Sequence, residues 1–168
     1  MNLVVDMMKL LTLVPPFLMA VGKKPTHWFV DGNNVLGHGK TTKDRDSLIQ
    51  TLQSVDSAEE LILVFDGTPG AAETDVFIHN NLRTVSLAEG LSSDDFIQEE
   101  IERFWKDPVM RRKHRVNLVS ADRELRQRTL EYKPIVKTVV NPVTFFRRYL
   151  PRMLGLKKPS ANITGEPN

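Results

Sequence analysis

Four acidic positions in this chain of 168 residues stand where a parallel sheet would gather them. Asp31 closes the apolar run Trp28-Phe29-Val30, and Asp66 closes Leu61-Ile62-Leu63-Val64-Phe65. Asp122 follows Val116-Asn117-Leu118-Val119 across Ser120-Ala121, and Asp94, with Asp95 beside it, opens a helical stretch after a weaker apolar run over 82–87. Open parallel sheets bind ligands beyond the carboxyl ends of their strands, so all four positions fall on the functional edge. Like charges gathered there repel, and the cluster is tolerable only if protons or a cation neutralise it. The chain has no Cys, and its four His are scattered without metal spacing, each reading as a surface residue. The remaining ligand set is carboxylate, Asn and water, a hard-oxygen set suited to Mg²⁺ or Mn²⁺. Such ions meet phosphate oxygens and can activate water against a phosphodiester. Each position also has a plain structural use. Asp is ordinary in the turn after a strand, Asp94 or Asp95 suits a helix N-terminus, Asp122 can cap a helix, and Asn33 and Asn34 suit a turn. Their joint placement on one edge is what points to chemistry.

The charge is divided along the chain. Residues 1–102 carry 7 Lys and Arg against 16 Asp and Glu, a balance of −9, whereas residues 103–168 carry 16 against 5, a balance of +11. The net +2 hides this split. The basic half holds Arg111-Arg112-Lys113-His114-Arg115, then Arg123, Arg126, Arg128, Arg147, Arg148 and Arg152. A polyphosphate strand gains affinity from such charges by counterion release, and the expectation is that they lead it toward the acidic edge. The alternative is two solvated faces of opposite sign. Aromatic residues interleave poorly with these charges, so base stacking is not evident. Nucleotide-binding glycine loops and nucleophile-elbow motifs are absent, and the lack of Cys excludes disulfide scaffolds, zinc ribbons and thiol catalysis.

The elements that must hold these residues alternate. The spacing predicts strands at 28–30, 61–65, 82–87, 116–119 and 135–140. Helices are expected over about 45–55, from a Ser92 cap through Trp105, over 123–132, and from Asn141-Pro142 to about Leu150, where Pro151 should stop the last. The segment Asp31-Gly32-Asn33-Asn34 reads as a turn and 66–70 as a loop. The fold class this predicts is α/β, a three-layer α/β/α sandwich with a mostly parallel central sheet. Residues 1–27 form an extension whose apolar run, Leu10 to Val21, is too short to span a bilayer, so no membrane partner is expected. It reads either as a removed targeting segment or as an appended segment packed on the domain. Residues 28–152 make the domain, and 153–168 a basic, then disordered tail.

The residues also carry a resemblance. Val30-Asp31-Gly32-Asn33-Asn34-Val35-Leu36-Gly37, Val64-Phe65-Asp66-Gly67, Ser93-Asp94-Asp95-Phe96-Ile97 and Ser120-Ala121-Asp122-Arg123-Glu124 occur in an order that resembles the YacP-like NYN-domain family, ribonucleases of PIN-like fold. The resemblance implies a PIN-like sandwich and a divalent-metal-dependent endoribonuclease. Asp31, Asp94 and Asp122 would be catalytic, and Asp66 would join them around Mg²⁺ or Mn²⁺. Asn34 and Asp95 would orient the substrate, and Arg111, Arg112, Lys113, Arg115, Arg123, Arg126, Arg147 and Arg148 would hold RNA. It further implies mRNA or ribosome-associated RNA as partner, and an intracellular address, cytoplasmic or organellar, with a plastid among the candidates. The family usually has an aromatic residue where Asn33 stands, and residues 1–27 have no counterpart in its compact members. Two alternatives remain open at this point. One is a non-catalytic RNA- or ribosome-binding module of the same fold, and the other is a phosphatase for small phosphoesters.

Overall fold

The computed structural model describes residues 24–38 and 44–156; the apolar run of the extension and the last twelve residues lie outside them. The chain is an α/β domain built on a six-stranded sheet. Its strands are β1 (Thr26–Asp31), β2 (Glu60–Phe65), β3 (Asp75–His79), β4 (Leu82–Ser86), β5 (Arg115–Val119) and β6 (Val136–Val140), in the order β3-β4-β2-β1-β5-β6. Every pairing is parallel except that of β3 with β4. The chain leaves β1 for β2 on one side and later crosses to β5 on the other. The strand order therefore reverses around β1, the kind of switch point beyond whose strand ends open α/β sheets bind ligands.

Helices cover both faces, an arrangement compatible with three layers. On one side α2 (Arg45–Gln53) and the C-terminal helical segment (Pro142 to Met153) bury Leu48, Leu52, Phe145 and Leu150 against Trp28, Val30, Leu61 and Leu63. On the other, α3 (Ser93–Lys106) and α5 (Arg123–Thr129) bury Ile97, Ile101, Phe104 and Leu125 against Phe29, Ile62, Val64 and Leu118. Alternate residues of β1 and β2 thus serve opposite cores, which is why those strands are apolar without interruption. Among the described residues no helix is long and apolar enough to cross a membrane.

Four expectations change. Gly32–Gly37 is a short helix, α1, rather than a turn, because the Asp31 carboxylate accepts from the Asn34 N–H and caps it. Strand β3 was not anticipated. It joins β4 through Asn80-Asn81, with Asn80 at φ 50°, and is mostly exposed, so its apolar signal is weak. The stretch before β5 is not a plain connection but a helix, α4 (Pro108–Lys113), capped by Asp107. Pro151 does not stop the last helix. Residues Phe145–Tyr149 open into a wide turn in which the Leu150 N–H reaches the Phe145 carbonyl, and the helix continues through Leu150–Met153. A proline lacks the N–H and crowds the carbonyl four residues back, and widening the preceding turn relieves both.

Candidate acidic site

Asp31, at the end of the central strand, is 2% exposed. Three donors hold its carboxylate. They are the Asn34 N–H at 3.2 Å and the Ser93 hydroxyl at 3.4 Å on Oδ1, and the Ser120 hydroxyl at 3.0 Å on Oδ2. Burial nevertheless pushes its pKa up, and the charge of Asp66 adds to the rise, so the hydrogen bonds offset only part of the desolvation.

Asp66 lies just past β2. Its Oδ1 accepts from the Ser93 N–H at 2.7 Å, tying the loop to the first turn of α3. Its own N–H donates to Asn33 Oδ1 at 2.9 Å. The glycines after both aspartates are fixed by close approach. A Cβ on Gly32 would sit 2.5 Å from the Phe65 ring, and one on Gly67 only 1.8 Å from the Ala88 carbonyl oxygen. The two Asp-Gly pairs thus bring the first two carboxylates to the same edge.

Asp94 is the second residue of α3, whose cap is the Ser92 hydroxyl accepting from the Asp95 N–H at 3.1 Å. Its pKa is pushed up from 3.8 to about 6, first by burial and then by the charges of Asp31, Asp122 and Asp66, against a smaller opposing pull from Arg128. One side chain therefore feels the other three. Asp122 caps α5, its Oδ1 accepting from the Leu125 N–H at 2.7 Å, while its N–H donates to the Ser120 hydroxyl at 3.0 Å. The structural use foreseen for Asp122 is real, and it coexists with membership of the cluster.

The other candidates divide. Asp95 is exposed, and its N–H donates to the Ser92 hydroxyl that caps α3. The Asn34 side-chain Oδ1 accepts from the Ala121 N–H at 2.9 Å and so straps α1 to the turn after β5. Arg123, Arg126 and Arg128 lie on α5, directly after Asp122, and Arg147 and Arg148 are exposed in the segment that follows β6. Arg111, Arg112, Lys113 and Arg115 are not brought to this edge. They sit at the start of β5 and on α4, across the length of α3, about 20 Å for its 14 residues.

Reading the sequence missed three contributors. Ser93 and Ser120 supply the hydroxyls on Asp31, and their signal is position alone, one residue before Asp94 and two before Asp122. Arg45 stacks its guanidinium 4.1 Å over the Phe65 ring and bonds the Ser86 hydroxyl at the carboxyl ends of β2 and β4. Nothing in its local sequence marks it.

The donor set is all oxygen, and among the described residues none of the four carboxylates forms an ion pair, which suits a hard divalent cation. Among the described residues, no three His, Asp or Glu side chains stand where they could hold one ion together. Asp66 and Asp122 each spend an oxygen on a backbone N–H. Mg²⁺ keeps most of its waters and takes one or two carboxylates directly, so the residues fit a cation held in that sparse way. Compared with protein-family models, with the curated proteins and with the solved structures, the chain matches none.

Proposed function

We propose that the chain is a PIN-like domain of the YacP-like NYN type, a divalent-metal-dependent endoribonuclease that hydrolyses RNA phosphodiesters. The observation that carries this reading is the gathering of Asp31, Asp66, Asp94 and Asp122 beyond the strand ends, where burial first and then the charges of the other three push Asp94 up to about 6. When bound, Mg²⁺ or Mn²⁺ supplies Lewis-acid polarisation of the phosphate and activation of water. Asp31 and Asp94 would hold it, with Asp66 and Asp122 contributing through water. Ser93, Ser120 and the Asn34 N–H keep the Asp31 carboxylate in one orientation. Asp94, half-buried and with a raised pKa, would give up its proton as it takes the ion. Arg126, Arg128, Arg45, Arg147 and Arg148 are the cations available to steady an RNA backbone near this edge. mRNA or ribosome-associated RNA is the substrate class the resemblance suggests.

The test is cleavage of single-stranded and structured RNA in Mg²⁺ or Mn²⁺ by the wild type, Asp31→Asn and Asp94→Asn. Cleavage lost in both variants and in EDTA supports the reading; full activity in either condition overturns it. A second reading, an RNA-binding module without catalysis, draws on the absence of a closed three-ligand group among the described residues. It predicts salt-sensitive binding with no cleavage under any metal.

A further inference from the structure

The amino-terminal edge of the sheet carries a second constellation that the proposed reaction does not use. His27, expected at the surface, is buried. Its Nδ1 lies 2.6 Å from Glu60 Oε2 and its Nε2 lies 2.7 Å from His114 Nδ1, while Arg83 bonds Glu60 Oε1 at 2.9 Å. These four side chains line a pocket of about 110 Å³, walled by Pro25, Ala58, Ile78 and Leu82, with Asn80 and Asn81 completing it. The only carboxylate in the lining, Glu60, has both oxygens engaged by cations or imidazole, so it presents no free negative charge. Burial, aided by the neighbouring His27, lowers the pKa of His114 and favours its neutral form.

The basic run borders this pocket. His114 stands between Lys113 and Arg115, Thr26 of the lining pairs with Arg115, and the Arg115 N–H donates to the Pro25 carbonyl at 2.9 Å. Arg111, Arg112, Lys113 and Arg115 are all exposed, and none takes part in an ion pair among the described residues. The Arg111 guanidinium lies 5.0 Å from the centre of the Trp105 ring, a platform of the kind that pairs with a strand. Three of the four cations are Arg, whose planar fork suits phosphate.

We infer that this edge is a second RNA site, separate from the acidic one, in which the four cations grip the backbone of a single strand and the pocket takes one unstacked base. The inference rests on the ribonuclease reading for the choice of nucleic acid as the partner. A cavity of roughly 150 Å³ accepts a benzene ring, so the smaller pocket here suits a pyrimidine-sized ring inserted part-way. Apolar walls meet the faces of the ring, while the His114 imidazole and the Asn80 and Asn81 side chains offer donors and acceptors to its edge. A duplex keeps its bases stacked and cannot fill the pocket. A strand held here must pass the full length of α3 before it meets Asp94, so this site anchors RNA while the acidic one works on it.

The test is fluorescence anisotropy of a labelled pyrimidine-rich 12-mer on the full chain in EDTA, where cleavage does not intervene. The variants are Ala58→Trp, which fills the pocket from an exposed loop, and the combined Arg111→Ala, Arg112→Ala, Lys113→Ala, Arg115→Ala chain, with unchanged circular dichroism as the control for folding. The combined variant should lose about 30-fold or more in affinity and lower the salt slope by about 3, near 0.7 for each phosphate contact removed. Ala58→Trp should lose about 10-fold for the single strand, keep the salt slope, and leave duplex RNA unaffected. Equal loss for duplex and single strand, or no loss on Ala58→Trp, overturns the base pocket. Undiminished binding by the combined variant overturns the site as a whole, as does equally tight binding to phosphatidylserine vesicles or to free UMP. The two proposals fail separately: Asp31→Asn should bind the 12-mer as the wild type does, and the combined variant should still cleave a tetranucleotide if the acidic edge is a nuclease.

Discussion

The two edges of the sheet bury ionisable groups in opposite ways. At the amino edge Glu60 meets His27 and Arg83, and these partners hold its pKa below the usual value although burial works the other way. At the carboxyl edge Asp31 meets two hydroxyls, a backbone amide and the charge of Asp66, while Asp94 meets the charges of the other three carboxylates against a smaller pull from Arg128, and burial raises both pKa values. The first cluster is internally neutralised, so its charges hold strands β1, β2 and β4 together. The second has no ion pair of its own among the described residues. A fold keeps such an arrangement when something from outside completes it, and a cation with RNA phosphate would do so.

The sharpest way to break this contrast is to neutralise one group on each edge. Asp31→Asn, nearly isosteric and still hydrogen-bonded, should cost about 100-fold or more in cleavage rate while the chain stays folded, because it removes a charge aimed at the reacting site. Gel assays of RNA cleavage beside circular dichroism measure both. Glu60→Ala should do the reverse, destabilising the fold by about 3 kcal/mol in urea titration, since Arg83 then lies buried without its counter-charge and His27 without its hydrogen-bond partner. Cleavage of a tetranucleotide under folding conditions should stay near the wild-type rate.

Gly67→Ala should come next. The added carbon meets the Ala88 carbonyl, so the loop carrying Asp66 must move, and destabilisation of about 1–3 kcal/mol should accompany reduced cleavage. The smallest effect concerns stability against pH. Asp94 has a raised pKa in the fold, so its contribution is most favourable below 3.8 and is lost as pH rises through about 6. Asp94→Asn should therefore melt a few degrees higher than the wild type at pH 7, with the gain disappearing near pH 4. Glu60 has the opposite sign. Its contribution is present at neutral pH and is lost as pH falls through its depressed value, so the wild type, but not Glu60→Ala, should weaken in acid for this reason.

These contrasts also mark what the sequence could carry. The alternation of apolar runs with amphipathic stretches was legible because β1, β2 and β5 are buried on both faces, and the acidic edge followed because each strand ended near an Asp. Strand β3 was illegible because only Val76 of its five residues escapes exposure, leaving no period to read. Pro151 misled because the rule that proline ends a helix assumes an unwidened turn before it. The His27–Glu60–His114–Arg83 chain was hidden for a different reason: its members come from four segments and meet only through strand pairing, so no spacing announces them. The same holds for Arg45, and for the discovery that Arg111 to Arg115 lie at the far edge rather than beside the acids. Local motifs placed single groups well; which groups meet was decided by the crossover of α3.

The two edges differ most in their ion pairs: among the described residues the carboxyl-edge aspartates form none, whereas Glu60 at the amino edge is held by Arg83 and His27. Isothermal titration of Mn²⁺ into the metal-free chain at pH 6, in two buffers of different ionisation enthalpy, tests the proposed cation site at the carboxyl edge most directly. Binding should release close to half a proton, because Asp94 must ionise to receive the ion, with the release and most of the affinity lost in Asp94→Asn and Asp31→Asn and both retained in Glu60→Gln. No binding at millimolar Mn²⁺, or binding that survives both aspartate substitutions unchanged, would contradict it.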